Sequence, residues 1–167
     1  MITRFCLAAL SCLLPLTQID TTAAQYPQFP KLVVCAIGDS HVTPRSALVR
    51  ELQRELGSDY RVTGHGRRGW TTDRWIRAGD FAAECTGADI VLISLQGNDR
   101  ARGIPWHTIE ANIHTLIASL PPSVRTLWIT RPSDVVPRLH LGRDGIHLTL
   151  RGAKEYAQIL SPIIIGL

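Results

Sequence analysis

Strand-like and helix-like segments alternate along this chain, and that alternation limits the possible folds more than any other feature. The strand-like segments are short, rich in β-branched residues and mostly apolar throughout, as in DIVLISL. Strands that are apolar on both sides need cover on both faces, so the pattern predicts a parallel sheet between two layers of helices. We expect a flavodoxin-like, three-layer α/β/α sandwich with a small, mainly parallel sheet of four to five strands.

The predicted elements can be placed by their apolar periodicity and by the glycines and prolines that bound them. Strands are expected at Lys31–Ile37, Tyr60–Thr63, Asp89–Leu95 and Val124–Thr130, and helices at Ser46–Leu56, Thr72–Ala83, Pro105–Leu120 and Leu148–Leu160. Thr43-Pro44 is a plausible cap and first turn of the first helix. Arg131–Gly145 is expected to be a loop, with at most a very short strand around Val136–Leu141. The apolar tail SPIIIGL is expected to pack against the core.

The first residues are interpreted as a secretory signal. Arg4 precedes an apolar run, Phe5–Leu16, and Thr22-Ala23-Ala24 supplies small residues for cleavage. The run is shorter than the about 20 residues needed to span a bilayer. We therefore expect a signal peptide at residues 1–24 and a single secreted or periplasmic domain at residues 25–167, without stable membrane insertion.

The charge of the chain is positive and is carried by arginine. The net charge is +4, and only Lys31 and Lys154 among the 18 basic residues are lysines. An anionic ligand surface and a simple compositional bias both fit this excess. The basic residues do not alternate with aromatic ones in a way that indicates nucleic acid as a partner.

The cysteines and histidines give weaker signals. Cys35 and Cys85 remain once the signal is removed, and a disulfide and two free thiols fit equally well. The spacing of the histidines and cysteines matches no metal-site pattern, so we expect neither a metal nor another cofactor.

Polar or glycine-rich residues follow every predicted strand. They are Gly38-Asp39-Ser40, Gly64–Gly69, Gly97-Asn98-Asp99 and, before the last helix, Asp144 with His147. Each group alone also fits an ordinary turn, a cap or a surface side chain. Because the carboxyl ends of parallel strands share one edge of the sheet, where ligands bind, we expect these groups to form one site.

These residue types could together carry out nucleophilic catalysis. The Ser40 hydroxyl could attack a carbonyl, His147 could take its proton, and Asp144 could orient the imidazole. The backbone N–H groups of Ser40 and Gly69, with the Asn98 amide, could hold the developing oxyanion.

The blocks IGDSH, GRRGWTT, GND and DGIHLT, in this order, resemble the SGNH hydrolases, also called GDSL-like esterases and lipases. The resemblance runs from Leu32 to about Ala157. It implies that Ser40 is the nucleophile of an acyl-enzyme mechanism that uses no metal, and it gives His147 and Asp144 the roles of base and partner. It also implies an oxyanion hole formed by Ser40, Gly69 and Asn98. Members of the family usually carry another helix and strand before the aspartate–histidine block, where this chain has only residues 131–143.

A second motif, G-x-G-x-x-G at Gly64, Gly66 and Gly69, is typical of dinucleotide binding. The acidic residue of that fingerprint belongs at the carboxyl end of the next strand, beside the ribose. Asp89 instead begins its predicted strand and should lie at the opposite edge of the sheet. We therefore reject a nicotinamide enzyme and expect Gly64 and Gly66 to relieve the backbone of a turn.

The substrate is expected to be a small-molecule or polysaccharide ester. Acetyl or other short acyl groups on carbohydrate or cell-envelope material are favoured, while a lysophospholipase, a thioesterase and a non-catalytic glycan- or anion-binding module stay open. Trp70 and Arg100 are candidate substrate-binding residues. Trp75 is expected in the core, and His41 is expected to be an exposed loop histidine.

Overall fold

The computed structural model describes residues 30–167, so the expected signal peptide lies outside the described part of the chain. The four parallel strands are paired in the order β2-β1-β3-β4. They are β1 (Leu32–Gly38), β2 (Tyr60–Gly66), β3 (Ile90–Ser94) and β4 (Arg125–Trp128). This order and direction confirm the predicted flavodoxin-like sheet, and they place the topological switch point between β1 and β3.

Helices cover both faces of the sheet. They are α1 (Ala47–Leu56), α2 (Thr72–Ala78), α3 (Phe81–Glu84), α4 (Gly97–Ala101), α5 (Trp106–Ala118) and α6 (Leu150–Ile165). Val34 and Ala36 of β1 pack toward α1 and α6, whereas Cys35 and Ile37 pack toward α2, α3 and α5. This alternation along a strand that is buried on both sides produces the expected three layers.

Two predicted elements end at other residues than expected, and glycines explain both differences. β2 continues to Gly66, three residues beyond the predicted end, because Gly64 and Gly66 pair with Ala36 and Gly38 of β1. The predicted helix Thr72–Ala83 is divided at Gly79, whose φ of +70° ends α2 in the left-handed region that favours glycine.

Two helix ends also differ from the prediction. The N-cap of α1 is Ser46, whose hydroxyl accepts a hydrogen bond from the Val49 N–H, so Thr43-Pro44 lies in the preceding turn. The apolar tail is the end of α6, which continues through Pro162 to Ile165. Its buried Ile164 packs in the same cluster as α1, and this packing offsets the backbone bond that Pro162 cannot donate.

A disulfide joins Cys35 of β1 to Cys85, directly after α3. Both residues are buried. The sequence left open whether the two cysteines form a disulfide or remain free thiols, and the structure shows the disulfide. The crosslink connects the strand that leads to Ser40 with the helical layer on one face of the sheet.

The segment before the aspartate–histidine block contains no strand at Val136–Leu141. It forms two single 3₁₀ turns, at Pro132–Asp134 and Arg138–His140, followed by an isolated antiparallel bridge between Leu141 and Leu148. Across residues 30–167, none of the helices combines the length and the apolar character needed to cross a membrane.

Candidate active site

Ser40 lies on a sharp turn directly after β1. Gly38 has a φ of +148°, and a Cβ at this position would lie 2.0 Å from the carbonyl oxygen of Ser94. The Asp39 N–H donates to that same carbonyl over 2.9 Å, which fixes the turn against the end of β3. Only glycine fits this conformation and this close approach, so Gly38 brings Ser40 to the switch point.

Gly64 and Gly66 form the wall on which this turn rests. A Cβ on Gly66 would lie 2.1 Å from the Asp39 carbonyl oxygen, and one on Gly64 would lie 2.8 Å from that of Val42. The two glycines lie in β2 and let the backbone of the Ser40 turn pack directly on the strand. The expectation that they merely relieve a turn is therefore wrong.

Ser40, His147 and Asp144 form a continuous hydrogen-bonded chain. The Ser40 Oγ lies 2.9 Å from His147 Nε2, and His147 Nδ1 lies 2.6 Å from Asp144 Oδ2. Because the carboxylate at Nδ1 favours a proton on that nitrogen, Nε2 is left to accept from the serine hydroxyl. The structure thus brings together the three side chains that the sequence placed in one site.

Backbone hydrogen bonds hold the loop that carries His147. The Gly142 N–H donates to the His147 carbonyl over 2.6 Å, and the N–H groups of Ile146 and His147 donate to Asp144 Oδ1 over 2.9 and 3.0 Å. The imidazole and these two N–H donors together lower the pKa of Asp144, so the carboxylate stays ionised. The shortened segment before Asp144 therefore still positions the imidazole.

The residues expected to form an oxyanion hole also surround Ser40. A cleft of about 450 Å³ is lined by Ser40, Gly69, Asn98, His147 and Arg68. Gly69 has a φ of +70° and places no side chain in the cleft. The Asn98 side-chain amide donates one hydrogen to the Trp70 carbonyl over 3.0 Å, which leaves its second hydrogen for a ligand.

Asn98 does not lie in a simple turn, because the block GND begins the short helix α4. Asp99 is fully buried there, and its carboxylate accepts from the Thr72 N–H over 3.0 Å and from the Thr72 hydroxyl over 2.6 Å. These bonds join α4 to the start of α2 and so fix Asn98 relative to Gly69.

Burial perturbs the two residues beside Ser40 in opposite ways. Asp39 is buried, and desolvation raises its pKa to about 6, although it accepts a hydrogen bond from the His41 N–H. His41 is only 7% exposed, so its expected exposure is wrong. Desolvation, helped by the nearby His147, lowers the pKa of His41 to about 4 and keeps the ring neutral at pH 7.

Neither of the two candidate substrate-binding residues lines this cleft. Trp70 stacks against the Arg67 guanidinium, 4.4 Å from the ring centroid, and packs edge-on against Trp75. Arg100 forms an ion pair with Asp134 at 3.1 Å. Trp75 is fully buried, as predicted, and its indole N–H donates to the Gly38 carbonyl over 3.1 Å.

Asp89 lies at the edge of the sheet opposite Ser40, as predicted when dinucleotide binding was rejected. Its carboxylate accepts a hydrogen bond from the Val33 N–H at the amino end of β1, over 2.7 Å. Within residues 30–167, histidines, cysteines and acidic residues form no group of three or more that could hold a metal ion.

The fold has many relatives among solved structures. An acetylxylan esterase from Geobacillus stearothermophilus superposes with a TM-score of 0.65 at 14% identity, covering 81% of this chain and 95% of that one. A carbohydrate acetylesterase family member from Sinorhizobium meliloti gives 0.60 at 16%, covering 81% and 100%. A proposed G-D-S-L family lipolytic protein from Desulfitobacterium hafniense gives 0.61 at 13%, covering 80% and 99%. The chain has the fold of the SGNH hydrolases.

The predicted resemblance is thus confirmed as a likeness of fold. The sequence matches no protein-family model and no curated protein. The likeness to the SGNH hydrolases therefore rests on the order of the four blocks and on the structure.

Sequence reasoning missed two arginines of the site. Arg68 lines the cleft described above, and Arg45 with Arg68 lines a second cavity next to Ser40. The excess of arginine in the sequence did not distinguish Arg68 from the other arginines. Both arginines lie in or close to the blocks IGDSH and GRRGWTT, and this position could have indicated them. Only the packed structure, however, shows which arginines line a cavity and which lie elsewhere on the surface.

Proposed function

We propose that this SGNH-fold protein is a serine esterase that removes short acyl groups, with acetyl esters of carbohydrate or cell-envelope material as the favoured substrates. The observation that carries this proposal is the chain of hydrogen bonds from Ser40 Oγ through His147 to Asp144, 2.9 and 2.6 Å long. It lies beside the donors of Gly69 and Asn98 in one cleft.

The residues of the site have distinct roles in the acylation step. The Ser40 hydroxyl oxygen attacks the ester carbonyl carbon while its proton moves to His147 Nε2, and the carbonyl oxygen becomes an oxyanion. The N–H groups of Ser40 and Gly69, with the Asn98 amide, stabilise that oxyanion. His147 then gives its proton to the departing alcohol oxygen, and the acyl group stays on Ser40.

Deacylation repeats the steps with water as the nucleophile. His147 takes a proton from water, the hydroxide attacks the acyl carbon, and the proton returns to Ser40 Oγ as the carboxylic acid leaves. Asp144 stays ionised throughout, because its lowered pKa keeps the carboxylate beside the imidazolium.

The lining of the cleft supports a short acyl group. Arg68, Gly69, Asn98 and the two catalytic side chains surround it, and none of these is a large apolar residue. A long acyl chain gains its binding energy from apolar surface, at about 0.8 kcal/mol per buried CH₂ group, and this cleft offers little. The names of two structural relatives refer to acetylxylan and to carbohydrate acetyl esters, and an acetyl group is short enough for this cleft.

The experiment combines active-site labelling with turnover. The purified protein is expected to react with a fluorophosphonate probe at Ser40 and to hydrolyse p-nitrophenyl acetate faster than p-nitrophenyl octanoate. Ser40→Ala should abolish both reactions. Asn98→Ala should lower kcat by about 10²–10³ while the circular dichroism spectrum stays unchanged, because it removes one oxyanion donor.

Two outcomes would contradict the proposal. Absence of labelling at Ser40, with binding of glycans intact, would indicate a binding module. Preference for octanoate would indicate a substrate with a long acyl chain, such as a lipid, instead of a short acyl ester. An Asn98→Ala variant with full kcat would disprove the oxyanion role of Asn98.

A further inference from the structure

A second cavity adjoins the catalytic residues on the side of α1. It has a volume of about 210 Å³ and shares Ser40, His147 and Arg68 with the cleft described above. Its other walls come from the turn before α1, the first turn of α1 and the end of the last loop: His41, Thr43, Arg45, Ser46, Ala47, Leu48 and Leu148.

The position of this cavity identifies the part of the substrate that it would receive. It contains the nucleophile and the base but neither Gly69 nor Asn98, so the carbonyl oxygen of the ester does not point into it. His147 must deliver a proton to the departing oxygen, and that oxygen therefore lies near the imidazole. The cavity on the α1 side consequently suits the alcohol part of the ester.

The two arginines of this cavity differ from Arg67 and Arg131, whose guanidinium groups are ion-paired. Both Arg45 and Arg68 are exposed, and within the described residues neither forms an ion pair. Arg67, next to Arg68 in sequence, is bound by Asp80 and Glu84, each at 2.6 Å. Arg131 is likewise bound by Asp134 at 2.6 Å.

No acidic side chain among residues 30–167 lines either cavity. Two carboxylates lie close to Ser40, and both are already engaged. Asp144 accepts from His147 Nδ1 and two backbone N–H groups, and the buried Asp39 accepts from the His41 N–H and the Ser94 hydroxyl. Arg45 and Arg68 therefore place positive charge beside the leaving-group position without a carboxylate to balance it. Guanidinium groups bind carboxylate and phosphate oxygens through two parallel hydrogen bonds.

We propose that the alcohol part of the substrate carries an anionic group, a carboxylate or a phosphate, that Arg45 and Arg68 bind in the cavity on the α1 side. This inference rests on the proposed esterase function and narrows its substrate class to acidic esters. A sugar acid and a phosphorylated alcohol are the two sources of such a group.

The test compares acetyl esters that differ in the charge of the alcohol. 4-Acetoxybenzoate carries a carboxylate, 4-acetoxyphenyl phosphate carries a phosphate, and 4-acetoxybenzamide is a neutral ester of similar size. The quantity measured is the ratio of kcat/KM for each anionic ester to kcat/KM for the neutral one. Because the variants are compared through this ratio, intrinsic differences in leaving-group reactivity cancel.

Arg45→Gln and Arg68→Gln should each lower the ratio by about two- to fivefold, the range for a solvent-exposed ion pair. The double variant should lower it by up to about twentyfold. Higher salt should lower the ratio for the wild type, because exposed charges are screened. The matched control is Arg61→Gln, an exposed arginine near the amino end of β2, which should leave the ratio unchanged.

The outcomes separate this inference from the proposed function. If all three esters are hydrolysed and neither arginine variant changes the ratios, the anionic alcohol is disproved and the esterase stands. If no ester is hydrolysed and Ser40 is not labelled, the esterase is disproved, and titration of 4-hydroxybenzoate against 4-hydroxybenzamide by NMR tests the arginines directly. Equal affinity for these two alcohols would overturn the inference, whereas preference for the anion, lost in the double variant, would support it. The anionic ester whose ratio falls more in the double variant identifies the source as carboxylate or phosphate.

Discussion

At the scale of single residues, Ser40 lies between two buried titratable groups whose pKa values shift in opposite directions, so that their order is reversed. The pKa of Asp39 is raised to about 6 and that of His41 is lowered to about 4, mainly by desolvation. Both residues therefore favour their neutral forms near pH 5. A neutral His41 also avoids placing a second positive charge beside His147, whose ring centroid is 5.5 Å away.

His41 should make the protein sensitive to acid. Its pKa is 6.5 when unperturbed and about 4 in the fold, so the unfolded chain binds more protons between these values and stability falls as the pH decreases through this window. Asp39 acts in the opposite direction, because its raised pKa makes the folded state bind more protons between about pH 4 and 6. His41→Gln should therefore lose less stability from pH 7 to pH 4 than the wild type, by up to about 3 kcal/mol.

Urea unfolding at pH 7 and pH 4 measures this difference. His107→Gln, at an exposed position on α5, is the matched control and should behave like the wild type. An identical pH dependence for His41→Gln and the wild type would show that burial of His41 does not affect the acid response.

At the scale of elements, the turn after β1 depends on contact between backbone and backbone. Gly38 touches the end of β3, while Gly64 and Gly66 of β2 touch the residues around Ser40. Two strands on either side of β1 therefore define where Ser40 lies. The sequence showed these glycines clearly, but their spacing suggested a loop.

Gly66→Ala should destabilise the protein by several kcal/mol and lower the proposed esterase activity. The added Cβ would lie 2.1 Å from the Asp39 carbonyl oxygen, so either the strand or the Ser40 turn must move. Urea unfolding and p-nitrophenyl acetate turnover measure the two effects. Gly166→Ala, where the nearest atom would lie 3.4 Å away, should stay within about 0.5 kcal/mol of the wild type. Equal stability of the two variants would show that the close approach at Gly66 is not required.

The elements that sequence reasoning placed well were those with a strong apolar pattern. β1 and β3 agree with the predicted segments to within one residue at each end. The errors came where tertiary contacts override local signals: β2 continues through two glycines, and α6 continues through Pro162. A proline is tolerated there because the helix is anchored by buried residues on both sides of it.

At the scale of the whole molecule, the site is assembled from distant parts of the chain. Ser40 and His147 are 107 positions apart, and the sheet order brings them together. The sequence predicted this assembly, because polar groups after successive parallel strands must share an edge. It did not predict the cysteine pairing, the burial of His41 or the second cavity, because these depend on how the layers pack.

The disulfide should contribute substantially to stability. Cys35 and Cys85 are separated by 50 positions, and closing a loop of that length stabilises a protein by about 4 kcal/mol in the chain-entropy model. The double variant Cys35→Ala/Cys85→Ala should lower the free energy of unfolding by about this amount, as measured in urea. Refolding the wild type under reducing conditions provides a control without the packing change. No loss in either case would show that the crosslink does not contribute.

The glycines around Ser40 restrict how specificity can be redesigned. The floor of the site is main chain, so it offers no side chains that mutagenesis could exchange for larger or smaller ones. Changing the specificity of the proposed esterase would therefore require variation of the rim, at Arg45, Arg68 and the segment that follows β4. Libraries confined to those positions should yield folded variants more often than libraries that also include Gly38, Gly64 and Gly66.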